Sequence, residues 1–380
     1  MPSNPYLDEY STTFPTFPDM RDYHAEQTRE SQWRRMQVNS LYVSPLDESS
    51  PLYGDKSRFG VQVSQDAIED TAKHLGLAMK VEGAYFPLRE TAWKSLLDRA
   101  KINGTALPKL SREELANVLN ACLALFGSEA LLLIRNEKIA AVHSGDARDY
   151  SILLIDTLLS ELQKGLDERF PGAEFESGYT DHSMTSASFL LPKQRDDLLA
   201  AYRKTLEAQG KSALAAKLTP GIRFTTSDVG ISSAKISALL LGLDMPIQIG
   251  GVIAVEHRWE KTPADFAEAI QKAFAKFGDA VAKLEKLAHI PLANPVNAMT
   301  AVCKKLSLPK KPAMEAISMF EMTCGSSPTA HDVFMALQEI LFLLKTEHTP
   351  AAKLLSVEES IARALSFRWP DFDLAKAVSY

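Results

Sequence analysis

Cysteine is scarce in this chain. Cys122, Cys303 and Cys324 are the only three in 380 residues, and no two stand at a metal-ligand spacing. So sparse and odd a set makes neither a disulfide framework nor a zinc site, and fits buried thiols in a reducing cytoplasm. Excess positive charge is also missing: 42 Lys and Arg stand against 48 Asp and Glu, a net −6. Duplex-binding domains are usually basic, because their affinity comes largely from neutralised phosphates. Any nucleic-acid contact here must therefore be local. The eight histidines include no His-x-x-x-His pair, so neither a metal nor a cofactor is expected. Long apolar runs are absent too. Residues 237–255 come nearest to a span, but Asp244, Pro246, Gln248, Gly250 and Gly251 interrupt them. Two strands around a turn at Asp244 and Pro246 are expected there instead. Residues 1–20 are polar, acidic and proline-rich, unlike a secretory leader. The expectation is a cytoplasmic protein with no membrane partner.

What is present argues for an α+β fold: a central sheet of hairpins packed by helices, a C-terminal helical domain and an extended N-terminal arm. A single core stops growing at roughly 250–300 residues, so three regions are expected, 1–80, 81–258 and 259–380. The first opens with Tyr6, Tyr10, Phe14 and Phe17 among Pro5, Pro15 and Pro18, a density of proline that blocks a helix. Such an arm docks on its own body or, making a homo-oligomer, on a neighbour. A helix over 21–36 and strands over 37–43 and 58–63 follow, and Ser64 can cap the next helix. In the central region Ser111 and Glu114 form a capping box. Residues 129–135 and 138–143 read as a hairpin turning at Asn136 and Glu137, and 150–170 as an amphipathic helix. Beyond residue 259, Thr262–Pro263–Asp265, Asn294–Pro295, Pro312, Thr329 with Asp332, and Ser356 with Glu359 mark successive helix starts.

Motifs for chemistry are incomplete. Gly210-Lys211-Ser212 has the tail of a phosphate-binding loop, but Thr205 stands where its first glycine belongs and a helix precedes it. Ser232 and Lys235 have the Ser-x-x-Lys spacing in strand-like surroundings, which point the pair to opposite faces. Two polar junctions remain. One surrounds His143, Asp146, Arg148 and Asp149, where a strand gives way to a helix and free amides attract anions, or where the two aspartates simply cap that helix. The other holds Ser227 and Asp228 and leads on to His257. Lys272, Lys276 and Lys283 lie on the helix begun by Pro263, with Lys304 and Lys305 beyond it. Together with Arg148 they are the candidate nucleic-acid contacts, against the ordinary alternative of a solvated helix face.

Several segments resemble a family of phage- and plasmid-like proteins, domain of unknown function 932. They are ETAWKSLLDRAKI (90–102), EALLLIRNEKIAAVHSGDARDYSILL (129–154), TSDVG (226–230) with His257 closing that strand region, and TAHDVFMALQEI (329–340). The resemblance covers about residues 80–345; the chain departs from it at the inserted Gly145 and in lacking a Cys-Asn-Gly step after the TSDVG strand. It implies a mobile-element setting rather than a mechanism. The expected function is accordingly that of an accessory protein of a phage, plasmid or integrative element. It would bind single-stranded nucleic acid during replication or recombination. The alternative is an inhibitor that binds a host defence protein. An enzyme ranks third, and would require His143, Asp146, Arg148, Asp228 and His257 to meet in one pocket.

Overall fold

A computed structural model describes residues 4–380, so the first three residues of the expected arm lie outside the described residues. The strands are β1 (Ser11–Phe14), β2 (Gln32–Gln37), β3 (Tyr42–Pro45), β4 (Leu77–Val81), β5 (Ala84–Pro87), β6 (Glu129–Arg135), β7 (Lys138–Ser144), β8 (Glu174–Asp181), β9 (Thr185–Leu190), β10 (Thr219–Thr226), β11 (Ala234–Leu241) and β12 (Ile247–Val255). They pair antiparallel in three sheets: β1-β8-β9-β10-β11-β12, β2-β6-β7 and β3-β4-β5. With helices packed against them, the class is α+β.

Local chemistry explains the elements that matter. The β6–β7 hairpin turns at Asn136 and Glu137, both left-handed with φ of 48° and 62°, the two-residue geometry that matches strand twist. Glutamate is an unusual choice there, and its carboxylate is held by the Ser64 amide at 2.6 Å. β7 is buried along its whole length, and its outer edge is occupied. The Arg89 amide donates to Ile139 O, Thr91 Oγ1 donates to Ala140 O, and Ser95 Oγ accepts from the Val142 amide. Thr91 and Ser95 come from the helix Ala92–Ala100 and its cap, which thereby covers an edge that would otherwise pair with another chain. Capping boxes form at Ser111, Thr262 and Thr329 as the sequence predicts.

Several expectations are corrected. The helix expected over 21–36 is Phe17–Glu30, and the rest becomes β2, which lies in register on the apolar β6 from Gln32↔Ile134 to Gln37↔Glu129. The alternation over 58–63 is no strand but a tight turn, Lys56–Phe59, that buries Phe59 and closes on Gly60. Ser356 lies inside the helix Ala351–Ala362 rather than at its start. The lysine-bearing helix is two, Pro263–Ala275 and Phe277–Leu287, broken at Lys276.

The boundaries at 80 and 258 do not coincide with the cores. β4 runs through residue 80, and the helices after 258 share one continuous core with the six-stranded sheet, from Phe17 to Trp369. A second core joins the two small sheets to the helices Ala92–Ala100 and Arg112–Leu123. The arm docks on its own chain: β1 extends the large sheet, Tyr10 is buried beside His182, and Phe17 packs on Phe175 and Phe189. Asp8 anchors it, accepting from Lys138 Nζ at 2.9 Å and the Glu90 amide at 2.8 Å. No helix among the described residues is long and apolar enough to cross a membrane.

Candidate functional site

The two polar junctions meet. β7 carries His143 one residue before its end, β10 runs out into Ser227 and Asp228, and β12 runs out into His257. Main-chain bonds stitch the first junction to the last: Ser151 N to His257 O at 2.9 Å, Trp259 N to Arg148 O at 3.0 Å and Glu260 N to Ala147 O at 3.1 Å. Gly145 permits the turn, since a Cβ there would lie 2.3 Å from Glu129 Cβ. The helix expected from residue 150 therefore begins only at Ile155, and 145–150 fold as a turn closed on Asp146 O by the amides of Asp149 and Tyr150.

Asp228 is the centre. Its carboxylate pairs with Arg135, and its carbonyl accepts both from Tyr150 Oη at 2.7 Å and from His143 Nε2 at 2.9 Å. Burial works to raise the Asp228 carboxyl, but the Arg135 guanidinium outweighs it and holds the group below its ordinary range. The rings of His143 and Tyr150 stack at 3.5 Å with a 6° tilt, and His257 lies against Tyr150 at 5.6 Å. Trp33 flanks the column at 6.1 Å from both His143 and Tyr150. Burial pushes the His143 ring down to about 4, and lowers His257 and, behind the pair, His24 for the same reason. All three rings are neutral near pH 7.

This column floors an open groove of about 780 Å³. Its walls carry Lys94, Arg99, Lys101, Arg148 and Arg258 against Glu90, Asp98, Asp149 and Glu256, a nearly balanced set with a small positive excess. At the rim stands Trp259, 67% exposed. It and Glu260 hold left-handed backbones, φ 60° and 57°, a strained conformation for such residues that persists only where surrounding bonds enforce it. Those bonds are the two to Arg148 and Ala147.

His143, Asp149, Arg148 and His257 thus line one groove, with Asp228 immediately behind it. Asp146 does not line it; its carboxylate accepts from the Arg148 amide at 2.8 Å and shapes the turn, and Asp149 accepts from Ser144 Oγ. Ser227 faces the interior, where its Oγ accepts from the Ile231 amide. None of the five candidate lysines reaches the groove. Lys272 pairs with Glu268, Lys304 donates to Ser379 O, Lys276 and Lys283 border a separate apolar groove beside β12, and Lys305 is solvent-exposed. Lys211 and Lys235, from the two incomplete motifs, pair with Asp332 and Glu359. Asp8, Asp70 and His74 bring three ligand atoms within 4.8 Å, but Lys138 bridges the two carboxylates and Arg89 lies 3.4 Å from Asp8, so the charge is already neutralised.

Tyr150 closes the first polar junction of the sequence, while Arg135, Trp33 and Trp259 belong to the site beyond the residues singled out there. Trp259 alone carried a signal, a tryptophan in a charged segment directly after a strand. Comparison with family models, curated proteins and solved structures returned no match.

Proposed function

We propose that the chain binds single-stranded nucleic acid along this groove. In this reading it is a cytoplasmic accessory protein of a phage, plasmid or integrative element, the setting implied by its resemblance to domain of unknown function 932. The observation that carries the reading is Trp259: a large aromatic, exposed and held in a strained turn between Arg148 and Arg258. Sequence-tolerant single-strand binders combine aromatic platforms for bases with cations that track the backbone, each stacked base contributing about 1–3 kcal/mol. The small positive excess of the walls implies few phosphate contacts. Three to four would give a slope of log K against log salt of roughly −2 to −3.

The test is a tryptophan-fluorescence titration with oligothymidylate over a salt series. Quenching is expected, with that slope, and Trp259→Ala should reduce the quenching to what Trp93 and Trp33 contribute and weaken binding by tenfold or more, in line with about 1.4 kcal/mol per tenfold. Absence of binding at low salt refutes the reading.

A further inference from the structure

The floor of the groove holds one acceptor that the fold leaves open. Nε2 of His143 lies 2.9 Å from Asp228 O, and a carbonyl has no proton to give, so Nε2 carries the hydrogen. Nδ1 is then a bare lone pair. It makes no hydrogen bond among the described residues, although the side chain is only 6% exposed. The ring cannot turn away, because Tyr150 stacks on one face at 3.5 Å and Asp228 O fixes the opposite nitrogen. Gly230, which also lines the groove, stands beside the free edge with φ of 81°. A Cβ there would sit 3.3 Å from His143 Cε1 and 3.7 Å from Nδ1, so the glycine leaves this edge uncovered. Burial keeps the ring neutral, hence an acceptor and not a donor, at any pH well above about 4.

We infer that His143 Nδ1 accepts a hydrogen bond from the N–H edge of an unpaired nucleobase seated in the groove. This rests on the proposed single-strand binding and names which part of the strand is read. Phosphates only accept, so they cannot satisfy a lone pair. In DNA the remaining donors are base N–H groups: the exocyclic amines keep one N–H in a groove even when paired, but the ring N–H of thymine or guanine is consumed by pairing and free only in a single strand. RNA adds the ribose 2′-hydroxyl as a second source of the same chemistry. A contact to the ring N–H of thymine or guanine therefore discriminates strandedness, and it is this donor that the test removes.

The experiment uses the full chain and two oligodeoxynucleotides of equal length, oligothymidylate and its N3-methylthymidine counterpart. Methylation removes the ring N–H and leaves charge and stacking face in place. The native oligomer is expected to bind roughly three- to tenfold more tightly than the methylated one, the worth of one hydrogen bond in a protected site. In His143→Phe, which retains a ring against Tyr150, the two should bind alike. If wild-type protein binds both equally, the inference falls and single-strand binding stands; if it binds neither at low salt, both fall. Tighter binding of oligouridylate than of oligothymidylate, unchanged by N3-methylation, overturns the base contact in favour of the 2′-hydroxyl. Should His143→Phe not fold, the wild-type comparison still decides.

Discussion

Around Asp228 three histidines are kept neutral by burial, and this has a measurable consequence at the level of single residues. An unfolded histidine titrates near 6.5, whereas burial holds His143 at about 4 and His24 at about 3, lowers His257, and takes His331 in the C-terminal helices to about 4. As pH falls below about 6.5 the unfolded chain takes up protons that the folded chain refuses. Stability is therefore complete above that pH and is lost on the way down towards the folded values. Each such group contributes at most about 1.4 kcal/mol per pH unit across that window. Thermal midpoints should be level from pH 8 to 7 and decline progressively from pH 6 to 4.5. A midpoint unchanged at pH 4.5 would contradict the burial of these rings.

At the scale of elements, the covered edge of β7 makes the next prediction. Ser95 Oγ is the acceptor for the Val142 amide, one residue before His143. Ser95→Ala leaves that buried amide without a partner, which costs about 1–3 kcal/mol. A urea denaturation curve should show the loss as a lower midpoint at unchanged slope, and an unaltered midpoint would mean that β7 is satisfied in some other way. Elements were legible in the sequence where their signal is local. Ser111, Thr262 and Thr329 each carry their capping partner three residues on, and Asn136-Glu137 sits between two apolar runs. They failed where the signal is a partner elsewhere. Gln32–Gln37 contains too little apolar alternation to declare itself a strand, and becomes one because β6 offers it a ladder. The site followed the same rule. Both polar junctions could be read separately, but their meeting depends on bonds between residues 147–151 and 257–260, and Arg135 joins only through a pair spanning 93 positions. The lysines misled because lysine on an amphipathic helix marks the wet face, whatever the ligand.

The whole molecule is tied together by charges it has buried. Asp8 in the arm and Asp70 share Lys138, which is fully buried, while Arg89 stands beside Asp8 with burial lowering its guanidinium to about 10. Removing one partner of a buried ion pair typically costs 3–5 kcal/mol because the other is left uncompensated. Asp8→Ala should therefore destabilise the entire fold by about 3 kcal/mol or more, and expose residues 4–14 to limited proteolysis. Wild-type resistance at those residues with unchanged resistance in the variant would show that β1 alone holds the arm.

The pairing of β1 with β8 also sets an order of events. Ser11 lies opposite Asp181, so the first strand of the large sheet has no ladder to join until its partner, some 170 positions later, has been made. At about 5–20 residues per second of synthesis, β1 waits unpaired for roughly 10–30 s. The partners of Asp8, by contrast, are Arg89 and Lys138, both made before β8, so this anchor does not depend on the ladder. Of the paired strands, β1 thus waits longest for its partner.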